Sequence, residues 1–207
     1  MLILGATGSV GTHLVSQALA RDHEVTVLAR NPSKLTLSHE RLRVLQGDVL
    51  DPAAVDAAVR GQDAVILSLG RKHHRKPTTL FSDATRIVID AMHRHGVRRL
   101  VAITGIGAGD SRGHGGFLYD RIIFPLVLKH TYADKDRQEE LIRHSDLDWV
   151  IVRPASFTNG PLRDRLRVAT DLRGVTIGKI SRADVAAFVL DQLTNDSYVR
   201  KQPLIGY

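Results

Sequence analysis

Short apolar runs alternate with stretches of helical periodicity along this chain. The run 2–4 breaks at Gly5, and residues 12–21 then bring Leu14, Ala18 and Leu19 to one side at helical spacing. "EVTVLAR", 24–30, is β-branched and alternating, and "LRVLQGDV", 42–49, predicts a third strand. "PAAVDAAVRG", 52–61, predicts a helix, with Pro52 near its start and Gly61 after its end. "DAVILSLG", 63–70, predicts a buried strand; residues 79–96 predict a long helix ending at Gly96; "RRLVAITG", 98–105, predicts a fifth strand. A helix over 134–144, a sixth strand over 148–156 and a last helix over 181–193 follow, with Ser181 as N-cap. Strands alternating with helices at this spacing predict an α/β fold. The expected form is a Rossmann-type doubly wound parallel sheet, one domain over 1–207, with its substrate site on loops at the sheet's carboxyl edge.

"GATGSVG", 5–11, follows the first strand and opens the first helix. In that position Gly5 allows a tight turn, Gly8 lets backbone approach a pyrophosphate, and Gly11 lets helix and sheet pack closely. Thr7 and Ser9 add hydroxyls, and Val10 completes the turn. An acidic residue at the end of the second strand would favour NAD(H) by accepting from the ribose hydroxyls. Here the strand ends in Arg30, with Lys34 close behind, while Asp22 and Glu24 precede it. Two cations suit a 2′-phosphate, so NADP(H) is expected in preference to NAD(H). Asp48 and Val49 are expected beside the adenine, and Ser68, Leu69 and Gly70 on the cofactor's other side.

Composition narrows the remaining choices. The chain has 207 residues, no cysteine and a formal charge of +7. Thiolate chemistry and disulfides are excluded. The basic balance is compatible with nucleic acid, but only 5% of residues are aromatic and no basic stripe interleaves them, so no nucleic-acid partner is expected. No apolar run reaches membrane-spanning length, and no charged region precedes the glycine turn, so no membrane partner and a cytoplasmic location are expected. "RKHHRK", 71–76, offers His73 and His74 without carboxylate or thiol partners, so no metal is expected. That loop is either a solvated turn or a cationic rim for an acidic substrate. Residues 105–130 begin as a glycine-rich loop, expected to be mobile and lid-like, and continue apolar. That apolar part suits core, a substrate wall or a second subunit; a monomer or weak homo-oligomer is expected.

"GATGSVG", "EVTVLAR" with "NPSKL", the run 46–70, "PTT", "AMHRHGV" and "LDWVIVRP" together resemble the atypical short-chain dehydrogenase/reductase family, in its NmrA-like NAD(P)H-binding branch. The resemblance is strongest toward flavin reductase/biliverdin-IXβ reductase and extends over nearly the whole chain; residues 105–132 depart from it most. It implies an NADPH-dependent oxidoreductase passing hydride to a flavin, bilin, quinone or similar conjugated acceptor. The alternative it implies is a non-enzymatic NADP(H)-binding redox-sensing regulator. In the wider family a Ser or Thr ends the fifth strand, and a tyrosine and lysine four apart follow on the next helix. Thr104 occupies the first place and Lys135 falls near the family lysine, but position 131 is threonine and the tyrosine is Tyr132. Tyr132 and Lys135 are therefore candidates for an acid pair or for chance neighbours on a helix. The resemblance implies that such a pair is dispensable here, since reduction of a conjugated acceptor can take its proton from water. Thr104 is expected either to touch the nicotinamide or to satisfy a strand-end backbone group. Pro154, Ala155 and Ser156 are expected to bound the nicotinamide, with Phe157 covering its face or packing as core.

Overall fold

A computed structural model describes residues 1–71, 76–114, 116–117, 119–163 and 165–207. The central sheet takes strands β1 (Leu2–Leu4), β2 (Val25–Ala29), β3 (Leu42–Gln46), β4 (Ala64–Leu67), β5 (Arg99–Ile103), β6 (Asp148–Pro154), β8 (Arg167–Ala169) and β10 (Leu204–Gly206). Their order is β3-β2-β1-β4-β5-β6-β10-β8, parallel throughout except for β8, which runs antiparallel to β10. A small parallel pair joins β7 (Ser156–Thr158) to β9 (Lys179–Ser181). The order reverses between β1 and β4, the crevice where open α/β sheets bind ligands.

The helices are α1 (Gly11–Ala20), α2 (Pro52–Val59), α3 (Leu80–His95), α4 (Lys129–His144) and α5 (Arg182–Asp191). Strand residues alternate between two cores because successive side chains point to opposite faces. Ile3, Val27, Ile66 and Val101 pack with Leu14 of α1 and Val189 of α5. Leu2, Leu4, Leu67 and Leu100 pack with Val55 of α2, Val88 of α3 and Ile142 of α4. Cover on both faces explains why the inner strands of the sheet are apolar runs.

Caps fix the ends nearest the site. Asp51 accepts from Ala53 N at 3.0 Å at the start of α2, and Ser181 accepts from Asp184 N at 3.0 Å at the start of α5, the capping expected of it. Asp134 of α4 caps the neighbouring helix instead of its own. It accepts from Phe81 N at 2.8 Å and from Ser82 Oγ at 2.6 Å, which locks α4 against the start of α3. At the other end of α3, Gly96 is left-handed and Val97 N reaches Met92 O at 2.9 Å, closing the helix.

Three sequence expectations change. The helix expected over 134–144 begins at Lys129, because a π-helical segment, Tyr119–Leu128, runs directly into it. Strands expected to reach 49 and 70 end at Gln46 and Leu67, freeing the following residues for the sheet edge. The start of the glycine-rich loop is packed, not free: Ile106 and Ala108 are buried, and a Cβ on Gly107 would lie 2.7 Å from the Phe124 ring. Among the described residues no helix is long and apolar enough to cross a membrane.

Candidate active site

The glycine turn is built as its spacing demands. Gly5 has φ +88°, and a Cβ there would sit 2.2 Å from Ser68 O, so the turn after β1 is pressed against the end of β4. A Cβ on Gly11 would meet Gly5 O at 2.2 Å, while Gly8 has only Gly5 O, at 3.1 Å, within 4 Å. The outer side of Gly8 is thus open for close approach, and Thr7, Gly8 and Ser9 are exposed. A dinucleotide pyrophosphate fits this cradle.

From Gly8, Ser9 and Val10 a cavity of about 490 Å³ runs along the carboxyl ends of β4, β5 and β6. Ser68, Leu69, Gly70 and Arg71 form one side, Thr104 and its neighbours the floor, and Pro154, Ala155, Ser156 and Phe157 the other side. Helix α4 contributes Thr131, Tyr132 and Lys135, α3 contributes Phe81, and α5 contributes Arg182. Its volume lies in the range of small-molecule sites. Arg30, Lys34, Asp48 and Val49 lie beyond this cavity, at the ends of β2 and β3. Arg30 and Lys34 are exposed. Asp48 accepts from Leu50 N at 3.0 Å and shapes its own turn.

Tyr132 and Lys135 do face one site. Tyr132 is buried in the first turn of α4, its ring 5.2 Å from that of Phe124. A Cβ on Gly105 would lie 2.6 Å from its hydroxyl, so the hydroxyl abuts the end of β5. Lys135 Nζ donates to Ile103 O at 3.2 Å and lies 4.6 Å from the Phe81 ring centre. Burial lowers its pKa to about 8, with Glu139 and Asp134 opposing the fall. The unfolded chain therefore holds more protons than the folded one between pH 8 and the ordinary lysine range, and stability from this group rises with pH there. The stability of wild type relative to Lys135→Met should accordingly rise from pH 8.5 to 10, by about 1 kcal/mol per pH unit at most, in parallel urea titrations. A constant difference would place the lysine's titration elsewhere.

Thr104 lines the cavity, but its hydroxyl donates to Glu139 Oε1 at 2.7 Å. Glu139 also accepts from Arg153 Nε at 3.0 Å and Nη2 at 2.6 Å, and Arg153 pairs further with Asp110 and with Gln202 at 2.9 Å. Burial disfavours the guanidinium charge, yet Glu139 and Asp110 outweigh it and raise the Arg153 pKa. The buried part of this network, Thr104, Glu139 and Arg153, anchors the floor of the site. Phe157 is 42% exposed, at the rim and not in the core.

Sequence reasoning passed over Phe81, Arg182 and the Glu139–Arg153 pair, and took Thr131 only as the residue standing in the family tyrosine's place. Thr131 and Arg182 had usable signals: one stands four residues before Lys135, and the other follows the Ser181 cap. Lys72, His73, His74 and Arg75 of the cationic loop lie outside the described residues. Of its ends, Arg71 lines the cavity and donates to Lys76 O at 3.0 Å.

A glycine cradle at the reversal point of a parallel sheet, opening into a cavity along the strand ends, defines a dinucleotide-binding protein of the Rossmann class. The model of the NAD(P)H-binding family matches residues 5–196, and the chain belongs to that family. A (4-alkanoyl-5-oxo-2,5-dihydrofuran-3-yl)methyl phosphate reductase of Streptomyces griseus is 29% identical over 204 residues, covering 96% of this chain. The chain spans 64% of that relative's length. A short-chain dehydrogenase/reductase of Veillonella parvula, solved with NADP, superposes with TM-score 0.84 at 19% identity, covering 100% of this chain and 93% of its own. An anaerobillin reductase of Escherichia coli O157:H7 superposes with TM-score 0.82 at 24% identity, covering 99% and 95%. At such identities the two structures speak for the fold alone.

Proposed function

We propose that this protein is an NADPH-dependent reductase of flat conjugated acceptors such as flavins, bilins or quinones. The observation that carries the reading is the single cavity that joins the Gly8 cradle to the ends of β5 and β6 and to Tyr132 and Lys135. Backbone of the glycine turn and the start of α1 would hold the pyrophosphate, and Arg30 and Lys34 the 2′-phosphate. Thr104, Pro154, Ala155 and Ser156 would bound the nicotinamide. Bound NADPH supplies the hydride; the chain's own part is to orient the acceptor and keep the site dry. Lys135, held against Ile103 O, would place a positive charge where an accepting ring gathers electron density. The Streptomyces relative, named for reduction of a lactone carrying a phosphate, supports an acceptor of this electronic kind.

The test is a panel of FMN, FAD, biliverdin and quinones with NADPH, followed by loss of its absorbance. Oxidation with at least one acceptor is expected. Tight NADPH binding with no turnover across the panel would favour the regulator instead.

A proton from water should suffice for such acceptors, so Tyr132→Phe is expected to retain at least roughly a third of the flavin-reducing kcat, where loss of a general acid typically costs 10²–10⁴-fold. A loss of about a hundredfold with NADPH binding intact would make Tyr132 the acid.

A further inference from the structure

Among the described residues the cavity wall carries three cations, Arg71, Lys135 and Arg182, and no carboxylate. Two of the three are engaged by backbone. Arg71 donates to Lys76 O and Lys135 to Ile103 O. Arg182 is held differently. It stands first in α5, behind the Ser181 cap, at the positive end of a ten-residue helix. Its Nη1 donates to Asn159 Oδ1 at 2.6 Å, and its guanidinium lies 5.2 Å from the centre of the Phe157 ring. Its Nε is covered by protein with no hydrogen-bond partner. No carboxylate among the described residues pairs with it, although Arg153, Arg137, Arg112 and Arg94 all have one. The guanidinium is therefore oriented by a neutral amide and an aromatic face, with no carboxylate among the described residues pairing with it, in the wall of the cavity.

We propose that Arg182 is the specificity-determining residue that binds an anionic substituent, phosphate or carboxylate, of the conjugated acceptor. The proposal rests on the reductase reading for the acceptor's class. Phe157 offers its ring to the flat part of the acceptor and steers the arginine. Asn159 fixes the fork, which suits an oxyanion as a lysine would not.

Binding, rather than turnover, tests it. Two pairs are titrated against protein saturated with NADP⁺: FMN with riboflavin, which differ by a phosphate, and biliverdin with its dimethyl ester, which differ by carboxylates. Flavin fluorescence and bilin absorbance are the signals. In at least one pair the anion is expected to bind roughly ten- to a hundredfold more tightly. Arg182→Met should reduce that ratio to about threefold or less, and Arg182→Lys, which keeps charge without the fork, should leave part of it. Asn159→Ala, which releases the guanidinium without deleting it, should also narrow the ratio. The pair that responds identifies the group as phosphate or carboxylate. No preference in the wild type, a ratio unmoved by Arg182→Met, or a loss confined to NADP⁺ affinity would overturn the assignment. An Arg182-dependent ratio without turnover would remove the reductase reading and leave Arg182 standing; turnover without such a ratio would do the reverse.

Discussion

Glu139→Ala is expected to destabilise the protein by about 3 kcal/mol, lowering its melting temperature by roughly 6–12 °C. Glu139 and Arg153 are both buried, and the carboxylate accepts two guanidinium hydrogen bonds and the Thr104 hydroxyl. Removing the carboxylate strands a buried cation, whose cost is about 3–5 kcal/mol. The low end applies because Arg153 keeps Asp110 and Gln202. Glu139→Gln, which keeps an acceptor for Thr104, should lose less. Thermal unfolding with and without NADPH measures both variants. An unchanged midpoint for the alanine variant would mean that the network contributes nothing net.

A second large effect is expected in cofactor choice. The wild type should bind NADPH more tightly than NADH, and Arg30→Ala with Lys34→Ala should remove most of the difference. Charge-assisted bonds to a phosphate contribute about 1.5–3 kcal/mol, roughly ten- to a hundredfold in affinity. Both side chains are exposed, so the preference should weaken as salt is added. Calorimetric titration with each cofactor is the measurement. Equal affinities in the wild type, or a preference that survives loss of both Arg30 and Lys34, would place 2′-phosphate recognition elsewhere.

The glycine turn and the first six sheet strands were legible because each is a local pattern: an apolar run, a turn residue, a helix face. Strand β10 was not. It is three residues long, Leu204–Gly206, and becomes a strand by pairing with β6, some fifty residues earlier in the chain, and with β8. The start of α4 was hidden for a related reason: "KHTYA" has no apolar stripe, and the helix there continues from the π-helical segment before it. For Thr104 the place was legible and the direction was not. Its hydroxyl partner is 35 residues away, on a helix whose packing the sequence does not display. Tyr132 and Lys135 share a wall despite their three-residue spacing, because both lie in the opening turns of α4, which presents that face to the end of β5. Lining by Arg182 required β7 and β9 to pair, which brings the start of α5 beside Phe157.

On the proposed function, this cavity would pass hydride from NADPH directly to a conjugated acceptor. The measurement that addresses it most directly is single-turnover oxidation of NADPH, with hydrogen or deuterium at the transferred C4 position, mixed with the best acceptor of the panel in the absence of oxygen. The expected result is acceptor-dependent oxidation that is slower with deuterium, with the label recovered in the acceptor or, where the accepting position exchanges with water, a primary isotope effect alone. Bound NADPH that remains unoxidised with every acceptor, or is oxidised at the rate seen without protein, would contradict the account.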